Sequence, residues 1–170
     1  MAEAARPRLA LLERWMPRIY VQFDPTRLTA RHVQSGRVLE EAPVVAVAQD
    51  AARPLGVGAT ARAQAGTPGV RLVNPFAHPR SLLSDFTLAE VVLKDLLGRL
   101  LPGAWWRPAP WVLLHPPSNP VGGYTQIEVR AMLELAHGAG AARGKVWHGR
   151  PLSDEEILAG RFPVDGEVLA

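Results

Sequence analysis

The chain has 170 residues, 48 % of them hydrophobic and 21 % charged, which gives one sizeable core and excludes a disordered polypeptide or a two-lobed enzyme. It contains no cysteine, so disulfides, thiolate metal sites and cysteine nucleophiles are removed by inventory. The net charge of +3 is unevenly spread: residues 1–37 carry seven Arg against three acids, and residues 153–170 carry five acids against Arg161. A basic front of this kind suits nucleic acid, anionic lipid or an acidic protein surface without choosing among them.

The first residues lack the pattern of a cleaved leader, and no stretch approaches the roughly 18 apolar residues of a spanning helix, so the cytoplasm is the expected address. Between Pro7 and Pro17, residues 8–16 read as a short amphipathic helix with Leu9, Leu11, Leu12, Trp15 and Met16 on one side and Glu13, Arg14 and Arg18 opposite. That face either docks on a membrane or partner or packs on the domain. Arg18 to Phe23 alternates as a strand until Asp24 and Pro25 interrupt it. Arg37 to Glu40 and Pro43 to Ala48 read as a strand pair, the second apolar enough to be core sheet.

Residues 50–80, rich in Ala, Gly and Pro, read as a small insertion with a short helix near Ala59 to Gln64 and an extended piece at Val70 to Val73. Thr87 and Glu90 form a capping-box pattern that opens a helix over 87–101, stopped by Pro102 and Gly103. After Trp105 and Trp106, which either face a partner or cover the end of that helix, Trp111 to Leu114 reads as a buried strand. Thr125 and Glu128 open a second capped helix ending at Gly138, Lys145 to His148 is a further strand, and residues 153–160 form a last helix capped by Ser153 or Asp154. The strand and helix alternation across 83–148 predicts parallel crossovers and hence an α/β sheet. The acidic end, 153–170, reads as solvated, with docking against the basic front as the alternative. The five histidines show no ligand spacing, Ser118 and Ser153 lack a nucleophile elbow, and Gly122 with Gly123 reads as a turn, so no metal, cofactor or hydrolase site is expected.

The stretch Gly36 to Val47, GRVLEEAPVVAV, is similar without gaps to the segment after the first nucleotide loop of the MreB family of bacterial actins. Gly66 to Gly69, Leu83 to Phe86, Arg107 to Leu114, Thr125 to Met132 and Gly138 to Ala141 continue the resemblance in the same order. It implies an actin-like (ribonuclease H-like) first lobe, a mixed sheet flanked by helices with a small inserted subdomain, over residues 19–152. Residues 1–18 are then an amphipathic N-terminal segment and 153–170 an acidic tail.

In that family a glycine-bearing Asp-Leu-Gly-Thr loop serves metal and phosphate; aligned from Gly36 it falls on Gln22, Phe23, Asp24 and Pro25, where no glycine remains. Pro25 has no N–H to donate and the Asp24 carboxylate repels phosphate. The paired glutamates of the family fall on Gly149 and Arg150, and no second lobe follows. The resemblance therefore implies a pseudo-ATPase with no catalytic, cofactor or metal residues. The expectation is a non-catalytic actin-like protein of the cell-shape or cytoskeletal system, acting by protein association, on MreB-type filaments or at the inner membrane surface. An adaptor of a secretion or pilus machine and a residual ATP-binding protein are the alternatives. Docking residues on this reading are Leu9, Leu11, Leu12, Arg14, Trp15, Met16, Arg18, Trp105 and Trp106. No nucleic-acid module is recognised.

Overall fold

The computed structural model describes residues 15–50, 53–78, 81–103, 108–117 and 122–170. In β1 (Arg18–Phe23), Ile19, Val21 and Phe23 alternate with Tyr20 and so face the opposite side of the sheet. β2 (Leu28–His32) and β3 (Arg37–Glu41) follow as an antiparallel meander. The chain then builds a separate small sheet from β4 (Val45–Ala48), β5 (Pro54–Val57), the short α1 (Ala59–Arg62) and β6 (Val70–Val73), in the order β5-β4-β6. β4 is buried on both faces as expected, but as the centre of this small sheet and not of the main one, so the inserted unit begins near Val45. Glu41 ties it down: its carboxylate accepts the Ala59 N–H at 3.0 Å and pairs with Arg99 at 3.1 Å.

The chain returns to the main sheet through α2 (Phe86–Leu100), β7 (Trp111–His115), α3 (Gln126–Gly138), β8 (Arg143–His148), α4 (Asp154–Ala159) and β9 (Glu167–Val168). The sheet order is β3-β2-β1-β7-β8-β9, with β7 parallel to β1 and β8 parallel to β7, the crossover pattern expected from the alternation of elements. The cap of α2 lies two residues before Thr87. Asp85 is the cap, accepting the Leu88 N–H at 2.9 Å, because it satisfies the first orphan amides of the longer helix. α3 and α4 carry complete capping boxes, at Thr125 with Glu128 and at Ser153 with Glu156.

One face of the sheet packs Ile19, Val21, Val112 and Leu114 against Leu93, Leu96, Met132 and Leu135 of α2 and α3. The other face carries Tyr20, Leu113 and Trp147, covered by Leu152, Ile157 and Phe162. The acidic segment 153–170 is therefore part of the fold and not a solvated end. Its spaced apolar residues seal a sheet face, Glu155, Asp165 and Glu167 remain outside, and β9 adds an antiparallel strand to β8. Among the described residues, two arginines of the basic front meet this segment. Arg31 Nε lies 2.8 Å from Asp154 Oδ1, and Arg18 Nη1 donates to the Ile157 and Leu158 carbonyls at 2.6 Å each. Those carbonyls end α4, where a cation is favoured.

Candidate functional site

β1 and β7 end side by side with Gln22 opposite His115, at the carboxyl edge of the parallel strands, where α/β sheets open a crevice for ligands. A cleft of about 250 Å³ lies there, walled by Gln22, Asp24, Arg27, Thr29, His115 and Pro151 among others.

The turn between β1 and β2 forms the floor of the cleft, and a phosphate cradle would have to use its backbone N–H groups. They are already committed. Asp24 N donates to the Arg27 carbonyl at 3.0 Å and Arg27 N returns a bond to the Asp24 carbonyl at 3.1 Å. Thr26 N donates to Asp24 Oδ1 at 2.8 Å, and Pro25 has no N–H. The Thr26 hydroxyl donates to the same carboxylate oxygen, and that bond, followed by the Thr26 N–H, holds the Asp24 carboxyl below the usual carboxylate range. Asn74 closes the turn from outside by donating to the Pro25 carbonyl at 2.7 Å. The turn is a self-satisfied Asx turn presenting a negative charge.

His115 lies deeper, 5 % exposed, between the cleft and the second face of the sheet. Its Nε2 lies 2.9 Å from the Gly149 carbonyl, which can only accept, so Nε2 carries the proton and Nδ1 accepts from the Tyr20 hydroxyl at 2.5 Å. The Tyr20 oxygen accepts the Leu152 N–H at 3.3 Å, which completes the chain. All these groups are satisfied only while His115 is neutral. Burial pushes its pKa below the usual 6.5, and burial pushes Tyr20 up to about 12. The unfolded chain takes up the proton first. Stability from this group is therefore fully present above pH 6.5 and is lost as pH falls from there through the folded-state pKa. Urea denaturation between pH 8 and pH 5 is expected to show a loss of up to about 1.4 kcal/mol per pH unit below about pH 6.5, and His115→Asn is expected to remove that component.

A family profile described as "MreB/Mbl protein" matches residues 25–151, three quarters of the chain and all of the lobe from the β1–β2 turn to Pro151. This chain belongs to the MreB/Mbl family. The cell shape-determining protein MreB of Haemophilus influenzae is 34 % identical over 112 residues, covering 64 % of this chain and 31 % of that protein. MreB of Escherichia coli K12 is 36 % identical over 112 residues, covering 62 % and 30 %. The chain thus spans about a third of the length of the relatives it matches. Among solved structures, MreB 5 of Spiroplasma citri bound to AMPPNP superposes with a TM-score of 0.61 at 23 % identity, over 77 % of this chain and 38 % of that one. The MamK double helical filament superposes with a TM-score of 0.56 at 16 % identity, over 76 % and 40 %. The fold is accordingly the first lobe of a bacterial actin.

In this MreB-family lobe, Gly149 and Arg150 stand where the resemblance implies carboxylates. Gly149 has φ +154, and a Cβ built on it would lie 2.7 Å from the Trp147 ring and 2.9 Å from Gly166 Cα. Arg150 turns away to Glu156, at 2.5 Å, and to Asp165, at 3.7 Å. The Arg150 guanidinium holds the Glu156 carboxyl down to about 2. Of the docking residues expected near the N-terminus, Leu9, Leu11, Leu12 and Arg14 lie outside the described residues, as do Trp105 and Trp106. Trp15 is 78 % exposed, whereas Met16 and Arg18 line a second cavity and Arg18 is engaged on α4. The Tyr20–His115 pair, Thr26 and Asn74 went unnoticed in the sequence. The Asp-Pro-Thr run at 24–26 is an Asx-turn signal that could have identified Thr26; nothing local identifies the others.

Proposed function

We propose that this MreB-family chain is non-catalytic, an actin-like lobe of the bacterial cell-shape system that works by protein association in the cytoplasm and not by ATP hydrolysis. The observation that carries the reading is the β1–β2 turn. Every amide from Asp24 to Arg27 is committed within the turn or missing, so no N–H remains for a phosphate, and the Asp24 carboxylate adds repulsion. A lobe that keeps the family's sheet and helices can still offer subunit-like surfaces to an MreB-type filament. That step rests on likeness of fold. The exposed Trp15 beside an arginine-rich, amphipathic front supports a second contact at an anionic membrane surface.

The test is co-sedimentation with polymerised MreB and with vesicles containing anionic lipid, alongside a phosphate-release assay. The chain is expected to pellet with filaments, to pellet with vesicles in a salt-sensitive way, and to release no phosphate from Mg-ATP above the buffer rate. Turnover abolished by a substitution in the cleft, such as Arg27→Ala, would overturn the reading.

A further inference from the structure

The face of the sheet covered by the C-terminal segment holds a second cavity of about 220 Å³, at the opposite end of β1 and β7 from the cleft and sharing no lining residue with it. Its walls are apolar and cationic: Trp111, Ile157 and Phe162 with Arg18, Arg143 and Lys145. Lys145 Nζ stands 5.6 Å above the Phe162 ring and the Arg18 guanidinium 5.9 Å from that of Trp111. Among the described residues no acidic side chain lines it. A cavity of this size takes one apolar side chain, and its cations call for acids beside that side chain.

This chain displays such a segment. Val164 is fully exposed, at 106 % relative exposure, on a turn closed by the Gly166 N–H to the Pro163 carbonyl, and Asp165 and Glu167 flank it, both exposed. The bond from Asp165 to Arg150 is long, 3.7 Å, and lies between side chains 60 % and 48 % exposed, so it is readily exchanged for another partner. We propose that this turn, residues 163–167, seats in the cavity of a second copy of the chain, Val164 entering between the aromatic rings while Asp165 and Glu167 meet Arg18, Arg143 and Lys145. Phe162 walls the cavity and lies two residues from Val164, so turn and cavity share one surface. Neighbours so placed can engage reciprocally about a two-fold axis and close as a dimer. The turn lies beyond the residues matched by the family profile, 25–151, whereas Trp111, Arg143 and Lys145 of the cavity lie within them.

Sedimentation velocity at about 100 µM chain tests it, since a Kd of roughly 10 µM or tighter leaves most copies paired. The wild-type chain is expected to be a dimer. Lys145→Glu and Asp165→Lys are each expected to weaken it at least about tenfold, because each sets like charges together. An equimolar mixture of the two variants is expected to restore the dimer, since each turn then meets a cavity of opposite charge. Val164→Arg, at a side chain too exposed to affect folding of the single chain, is expected to give monomers that melt where the wild-type chain does at concentrations too low for it to pair. A monomeric wild-type chain, variants that remain dimeric, or a mixture that stays monomeric overturns the proposal. None of these outcomes bears on nucleotide binding, because no cleft residue takes part.

Discussion

Replacing Trp147 with alanine is expected to destabilise the fold by about 3–5 kcal/mol, a large share of the roughly 5–15 kcal/mol that holds a domain of this kind. Trp147 is fully buried on β8 and is the largest side chain in the core between the sheet and the C-terminal segment. Its ring stacks on Phe162 at 5.5 Å, and its indole N–H donates to the Arg150 carbonyl at 2.8 Å. Truncation would leave a cavity too large for Leu152 and Ile157 to fill and would orphan the Arg150 carbonyl. Because α4 and β9 are held mainly through this cluster, the loss should also open the C-terminal segment. Urea denaturation measures the first effect, and amide exchange at Val168 and Leu169 measures the second.

Gly149→Glu, which restores a carboxylate at a position where the family resemblance implies one, is expected to destabilise the chain by roughly 2–5 kcal/mol and to confer no activity. At φ +154 the backbone is in a region that side chains rarely adopt, which costs about 1–3 kcal/mol. The added Cβ would also meet the Trp147 ring at 2.7 Å and Gly166 Cα at 2.9 Å. The ring is itself fully packed and Gly166 is backbone, so neither can yield without moving β9. The missing carboxylate is thus built into the packing of this lobe, and a melting experiment on the single variant reads the cost directly. A variant as stable as the parent would show that the Trp147 wall is softer than its burial implies.

Elements with local signals were legible in the sequence. The capping boxes at Thr125 and Ser153 and the apolar spacing of Leu93, Leu96 and Leu97 mark their helices, because helix termini and helix faces are set by residues three or four apart. β2 was missed. Leu28 and Ala30 alternate properly into the core, but with Thr29 between them and Arg31 and His32 after them only two apolar positions mark the strand. Arg31 is spent on the far face, against the Tyr20 ring and Asp154. The C-terminal segment misled for a related reason. Its acids dominate the composition, while the few apolar residues that seal the sheet are spaced by helix and turn in no simple period. In the cleft, the loss of the loop glycine is visible in the sequence, but the bond from Asn74 to the Pro25 carbonyl joins residues 49 positions apart, and the neutral tautomer of His115 depends on Tyr20, 95 positions away. The second pairing exists only after β1 and β7 have been set side by side.

On the proposed reading, an actin-like lobe has given up its phosphate hairpin while keeping its sheet. Calorimetric titration of the intact chain with Mg-ATP tests it most directly. With the amides of residues 24–27 committed and Asp24 ionised, no saturable heat is expected up to about 1 mM nucleotide, a free energy weaker than about −4 kcal/mol. A saturable isotherm with a Kd in the micromolar range would show that the turn opens to receive phosphate, and would contradict the account.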